Sequence, residues 1–85
     1  MELSEIKNVL NETKDDLRAK YNIEWLEFTL NYCEKIKGFY KCDIYIADSN
    51  GIKSDYGYIS ENTNAEMAKK SFELFVKSVV CGARA

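Results

Sequence analysis

Residues 39–60, FYKCDIYIADSNGIKSDYGYIS, contain the pattern that decides the fold. Every second residue from Tyr40 to Ile46 is apolar, and this alternation predicts a half-buried β-strand. The tetrapeptide Asp48-Ser49-Asn50-Gly51 follows directly. Because Asn and Gly tolerate the positive φ angles that a tight β-turn requires, this tetrapeptide predicts a hairpin.

A further β-strand is predicted from Ile52 to about Ser60, and Gly57 lies inside it. A glycine within a strand indicates either a β-bulge or a close approach by another part of the chain. For that reason the sequence leaves open which face of this strand is buried. The facing of Asp55, Tyr56 and Tyr58 stays open with it.

The segments on both sides of the hairpin complete the element order. Apolar residues at three-and-four spacing predict an amphipathic helix from Leu3 to about Lys20. An alternating stretch between Asn22 and Cys33 predicts the first strand. The second helix is predicted to begin at a capping box of Thr63 and Glu66, and Gly82 lies where a C-terminal cap belongs.

Together these elements predict an α+β fold in the order α-β-β-β-α, a three-stranded antiparallel sheet with two helices packed on one face. The chain has no proline, no low-complexity run and no repeat, so a single domain is predicted over residues 1–85. The other face of the sheet would then meet solvent. Alternation places on that open face Trp25, Glu27, Thr29, Asn31, Phe39, Lys41, Asp43 and Tyr45, joined by some of Asp55, Tyr56 and Tyr58.

Charge and hydropathy indicate which kinds of partner the protein can bind. The net charge is −2 and the isoelectric point is near 5.1, which argues against direct nucleic-acid binding and favours a partner protein with a basic surface. No apolar run approaches the roughly 20 residues that cross a bilayer, so no membrane role is expected. The first ten residues mix Glu2, Glu5 and Lys7 among apolar residues, unlike a secretory or transit signal, and predict a cytoplasmic protein.

The numbers of cysteines and histidines limit which catalytic and metal-binding sites the chain can form. Cys33, Cys42 and Cys81 are odd in number and share no CxxC spacing, which indicates reduced thiols rather than disulfides. The chain has no histidine, so Ser-His and Cys-His catalysis and imidazole metal ligation are excluded. We therefore expect no enzymatic activity, no cofactor and no metal site.

With these classes excluded, the sequence favours a protein that acts by binding a partner through its surface. Trp and Tyr beside carboxylates on an open sheet are typical of a protein-binding surface, in which rings supply anchor area and charges set the orientation. The alternative is that these rings only stabilise cross-strand pairs. A homodimer through the open face or through a strand edge is also compatible with this pattern.

The order α-β-β-β-α is also that of the double-stranded-RNA-binding domain. Such domains hold RNA with a Gly-Pro-x-His loop and a lysine cluster at the start of the last helix. The sequence departs at both places, since its first β-turn reads Glu34-Lys35-Ile36-Lys37-Gly38 and its candidate cluster is Lys69-Lys70, one turn into the helix. Together with the acidic isoelectric point, these departures argue against this way of binding RNA.

The strand and turn of residues 43–51, the segment Tyr58-Ile59-Ser60-Glu61-Asn62 and the helix from Phe72 to Val76 resemble small acidic phage anti-CRISPR proteins. The resemblance covers about 35 residues and implies an inhibitor that occupies a basic groove or an assembly surface on a bacterial defence protein.

It further implies that Trp25 and Tyr45 anchor the complex, and that carboxylates face basic groups of the target: Glu24, Glu27, Asp43, Asp48, Asp55 and Glu61. The predicted partner-binding residues are thus Trp25, Glu27, Asp43, Tyr45, Asp48, Asp55, Tyr56 and Tyr58. A toxin-immunity or regulatory protein that binds one protein of its own cell is the alternative, since it requires the same surface.

Overall fold

Two helices and three strands follow one another in the order α-β-β-β-α, as the sequence predicts. The computed structural model describes residues 1–82. Its elements are α1 (Leu3–Lys20), β1 (Trp25–Tyr32), β2 (Phe39–Asp48), β3 (Gly51–Ser60) and α2 (Ala65–Cys81). The strands form one antiparallel sheet in the order β1-β2-β3, so the prediction of an α+β fold is confirmed.

The hydrophobic core lies between the sheet and both helices. Ile6, Leu10 and Leu17 of α1 recur at helical spacing and are buried, because the apolar stripe of an amphipathic helix faces the core. Alternate residues of β1 and β2 meet this stripe and that of α2. The buried strand and α2 residues are Leu26, Leu30, Tyr40, Cys42, Ile44, Ile46, Ile59, Ala68, Phe72, Val76 and Val79.

The β2–β3 hairpin confirms the predicted turn and shows how it closes. Asp48 pairs with Gly51, so the loop consists of Ser49 and Asn50. Gly51 has a φ of 111°, a conformation that costs glycine no steric penalty. The Asn50 N–H donates to the Asp48 carboxylate at 2.8 Å, the local bond that makes Asp a favoured turn residue.

Gly57 marks a close approach and not a bulge. The β2–β3 register continues through it without an extra residue, with Cys42 as its partner. The ring of Phe75 on α2 lies where a Cβ on residue 57 would be, so any side chain there would overlap the ring. The helix can therefore pack against β3 only because this position has no side chain.

The start of α2 differs by one residue from the prediction. Asn64, not Thr63, is the N-cap, and its side-chain oxygen accepts the Met67 N–H at 2.9 Å. The predicted capping box of Thr63 and Glu66 is therefore wrong. Thr63 is buried, and its hydroxyl donates to the Asn64 carbonyl at 3.3 Å. Gly82 ends the helix with a φ of 64°, which confirms the predicted C-terminal cap.

The register also determines the facing of β3, which the sequence leaves open. Asp55 lies opposite Ile44, and because cross-strand partners share a face, Asp55 is on the helix-covered side. Tyr56 and Tyr58 lie opposite Asp43 and Lys41 and are on the other side.

Asp48 is also on the helix-covered side. Its side chain is only 7% exposed and lies 3.6 Å from Nζ of Lys53, a residue opposite buried Ile46. The expectation that Asp48 and Asp55 join the other carboxylates on one docking face is therefore corrected.

Candidate protein-binding surface

The side of the sheet away from the helices carries no other element of the described chain, and we call it the open face. Its residues follow from the strand register, since alternate residues of a strand point to the same side. They are Trp25, Glu27, Thr29, Asn31, Phe39, Lys41, Asp43, Tyr45, Ala47, Ile52, Ser54, Tyr56, Tyr58 and Ser60. Six of the eight predicted partner-binding residues are among them.

One end of the open face is apolar. Trp25 at the start of β1 lies opposite Ala47, and Ala47 lies opposite Ile52 on β3. Trp25 is 49% exposed and Ile52 is 85% exposed, so this row offers apolar area that the fold itself leaves in water. Ile52 was not among the predicted residues, although extending the alternation back from Tyr56 and Tyr58 would have found it.

Tyr45 lies at the centre of the open face, between Glu27 of β1 and Ser54 of β3. Its neighbours across the sheet are polar, and it is 38% exposed. Among the described residues, the ring contacts join Phe28 with Phe72, Tyr32 with Tyr40, and Tyr56 with Tyr58. Trp25 and Tyr45 take part in none of these contacts, so they do not form aromatic cross-strand pairs.

The other end of the open face combines rings with a cation. The rings of Tyr56 and Tyr58 meet edge to face, with centroids 5.7 Å apart and planes at 77°. Lys41 Nζ lies 4.7 Å from the centroid of the Tyr56 ring, within the range of a cation–π interaction. A groove of about 360 Å³ runs between these residues and the β1–β2 loop at Cys33 to Lys35.

The two carboxylates of the open face already have cationic partners. Glu27 forms an ion pair with Lys14, whose side chain reaches from α1 to β1. Asp43 lies 3.7 Å from Nζ of Lys41 and accepts a hydrogen bond of 3.4 Å from the Thr29 hydroxyl. The open face is consequently aromatic with paired charges, and less acidic than the sequence suggested. The pair of Lys14 and Glu27 joins distant segments and leaves no local signal in the sequence.

The covered side holds groups that stabilise the fold. Burial, with the Asp43 carboxylate as a second cause, raises the pKa of the Cys42 thiol to about 12, so it stays protonated and unreactive. Glu73 of α2 accepts hydrogen bonds from Lys20 Nζ at 2.5 Å and from the Tyr21 hydroxyl at 2.7 Å. These two bonds lower the pKa of the Glu73 carboxyl and join the end of α1 to α2.

In residues 1–82, no group of three or more Cys, Asp or Glu side chains is arranged to hold a metal ion. Within the same residues, neither helix is both long and apolar enough to cross a membrane.

Comparison with protein-family models, with curated proteins and with solved structures gives no match. The open face is therefore what bears most directly on function.

Proposed function

We propose that this protein is a non-enzymatic module that binds another protein through its open face. The observation that carries the proposal is the placement of Trp25 and Tyr45, which are exposed and have no ring partner on a sheet face that no described element covers. Trp and Tyr are enriched among the residues that dominate binding energy at protein interfaces. Trp25 also lies in one row with Ala47 and the exposed Ile52, and contiguous exposed apolar area of this kind is typical of interaction sites.

The shape of the molecule suits a protein better than a small ligand. A standard interface takes about 800 Å² from each partner. The molecule is a slab of 36 × 25 × 16 Å, and its broad sides are of that order of area. The face carries one lysine, Lys41, which is too little positive charge for tight binding of nucleic acid.

The charged residues of the open face would set the orientation of the partner. Glu27 and Asp43 both neighbour Tyr45, so a basic side chain of the partner placed beside this ring would meet a carboxylate. Such a side chain would compete with Lys14 and Lys41 for the same oxygens. Exposed ion pairs contribute only about 0 to 1 kcal/mol, so we assign most of the affinity to the rings and the specificity to the charges.

The narrower proposal names the kind of partner. The resemblance of the hairpin and α2 to phage anti-CRISPR proteins, with the net charge of −2, favours a cytoplasmic inhibitor of a bacterial defence protein that binds nucleic acid. In this role the open face would occupy a basic surface of the target. Loss of nucleic-acid binding by a purified defence protein, on addition of this protein, is the corresponding measurement.

Affinity capture from bacterial lysate tests the open face directly. The wild-type protein and the double variant Trp25→Ala/Tyr45→Ala serve as baits. The matched control is Met67→Ala/Leu74→Ala, which removes two exposed apolar side chains from α2, away from the open face. We expect the same partner with the wild type and the control, and its loss with the open-face variant.

The affinity for the isolated partner then measures how much the open-face rings contribute to the free energy of binding. Truncating a dominant interface residue costs at least about 2 kcal/mol, so Trp25→Ala alone should weaken binding by roughly 30-fold. Trp25 is the single tryptophan of the chain, so its fluorescence reports the contact in the wild type, and calorimetry measures the affinity of the variants that lack it. Equal affinity of the wild type and the open-face variant would rule out this surface.

An electrophoretic mobility shift assay addresses the double-stranded-RNA alternative. Lys70, half of the candidate lysine cluster, lies 3.4 Å from Glu66 in an ion pair on the same helix. We expect no sub-micromolar shift at moderate salt. A tight shift that weakens steeply with salt would favour RNA over a protein partner.

A further inference from the structure

The sheet has two edges, and the edge at β3 is ten residues long. Alternate residues of an edge strand direct their N–H and C=O groups away from the sheet. Asp48 and Gly51 close the hairpin, and beyond β3 the Glu61 N–H donates to the Gly38 carbonyl at 2.8 Å. Odd-numbered residues of β3 therefore face β2 with their backbone groups, and the even-numbered residues between them face outward.

Tyr56 lies at the middle of this edge, and its outward N–H is already bonded. The Asp55 carboxylate accepts it at 2.8 Å, although the Asp55 side chain starts on the helix-covered side of the sheet. A carboxylate in this position occupies the donor that an added strand would need. Natural sheets protect exposed edges with charged residues of this kind.

We propose that the edge of β3 is a strand-pairing surface for a second copy of this chain, and that Asp55 keeps it closed by holding the Tyr56 N–H. The edge has the features that favour pairing with another strand, since it is long, contains no proline and carries the 85%-exposed Ile52 near its start. Two copies of one strand pair readily about a two-fold axis.

A pairing centred on Ser54 fits the outward residues. It sets Ile52 opposite the partner's Tyr56, with both side chains on the open face, where Ile52 would be covered by a ring. In this register the Tyr56 N–H would donate to the backbone carbonyl of the partner's Ile52. The bond to Asp55 blocks this donor, so removal of the carboxylate should open the edge.

Sedimentation equilibrium of Asp55→Ala tests the proposal. We expect the wild type to be monomeric, and Asp55→Ala to dimerise with a dissociation constant at least 10-fold lower. The matched control is Asp16→Ala, which makes the same substitution at an exposed position of α1 away from the β3 edge and should stay monomeric. A folded Asp55→Ala protein that remains as monomeric as the wild type would overturn the proposal, as would a wild-type dimer formed through β3.

A second substitution locates the contact. Ser54→Pro in the Asp55→Ala background removes an outward N–H and places a proline ring on the edge, without touching the ladder to β2. We expect this double variant to return to the monomer. Persistence of its dimer would show that the copies associate elsewhere and would refute the role of the β3 edge.

Two measurements keep the test valid if Asp55→Ala folds poorly. Asp55→Thr replaces the carboxylate with a residue favoured in strands and should also dimerise. In the wild type, amide hydrogen exchange should be slower at Tyr56 than at Ser54, whose outward N–H neighbours it on the same edge. Equal exchange at both amides would contradict the bond to Asp55.

Discussion

Both faces of the sheet carry large apolar side chains, but helices cover these side chains on one face only. Leu26, Ile44 and Phe72 on the helix side are at most 2% exposed, whereas Trp25 and Tyr45 on the open face are 49% and 38% exposed. Hydrophobic stabilisation is proportional to the apolar area removed from water, so each residue of the first set uses nearly all of its side chain to stabilise the fold, whereas the second set leaves 38–49% of its area in water. The comparison separates residues that fold this protein from residues left available for binding.

The largest effect is expected from Phe72→Ala on the covered side. Phe72 is fully buried and meets Phe28 edge to face at 5.4 Å, so truncation leaves a cavity and should cost about 3–5 kcal/mol. This cost equals the entire margin of roughly 3–5 kcal/mol that a domain of this size has. We expect the variant to be largely unfolded at 25 °C by circular dichroism. A loss of stability below about 1 kcal/mol would mean that the helices do not define the core as described.

Gly57→Ala should come next, because it forces Phe75 away from β3. Overpacking of this kind costs typically about 1–3 kcal/mol. Ser54→Ala adds no atoms on the same strand and serves as the control. If the clash with the ring is the cause, Phe75→Ala in the Gly57→Ala background should give a coupling energy in urea unfolding, and purely additive losses would contradict the close approach.

A smaller effect is expected at the start of α2, the helix that covers β2 and β3. Asn64→Ala removes the side-chain cap and should cost about 1 kcal/mol. Glu66→Ala removes only the pair with Lys70, worth about 0.3–0.5 kcal/mol. A larger loss for Glu66→Ala than for Asn64→Ala, in thermal or urea unfolding, would contradict the role of Asn64 as the cap.

The smallest effect is expected on the open face itself. Trp25→Ala and Tyr45→Ala should each cost less than about 1 kcal/mol, because 49% and 38% of these residues stay in water and contacts between cross-strand neighbours contribute only about 0.2–1 kcal/mol. Urea unfolding of both variants beside Phe72→Ala measures the contrast between the faces. A loss of several kcal/mol at Trp25 would show that the ring serves the fold.

The sequence predicts the covered side well because burial there imposes a period. The bounds of α1 and the facing of β1 and β2 follow from apolar spacing alone, and the structure confirms them. On the helix side of β3 only Ile59 is a buried apolar residue. The positions before it hold Lys53, Asp55 and Gly57, since the helices cover only part of an edge strand and one position must stay empty for Phe75. These positions show no apolar alternation from which the facing of β3 could be predicted.

In the candidate site, too, alternation predicts which residues share a face but not which contacts they make. Trp25, Tyr45 and Asp43 are placed correctly by alternation from their strands. The carboxylates were expected to present free negative charge, but Lys14 and Lys41 pair with Glu27 and Asp43. The pairing with Lys14 arises from the packing of α1 beside β1, a tertiary event without a local pattern. The cap of α2 was missed by one position because Thr63 and Asn64 are both residues that favour caps.

The meander order of the strands has a kinetic consequence. Each strand pairs with its neighbour in the chain, so both pairings close short loops and should form early. The bonds of Glu73 with Lys20 and Tyr21 instead join segments more than 50 residues apart. We therefore expect the docking of the two helices on each other to limit the folding rate, with the hairpins serving as the template on which they meet.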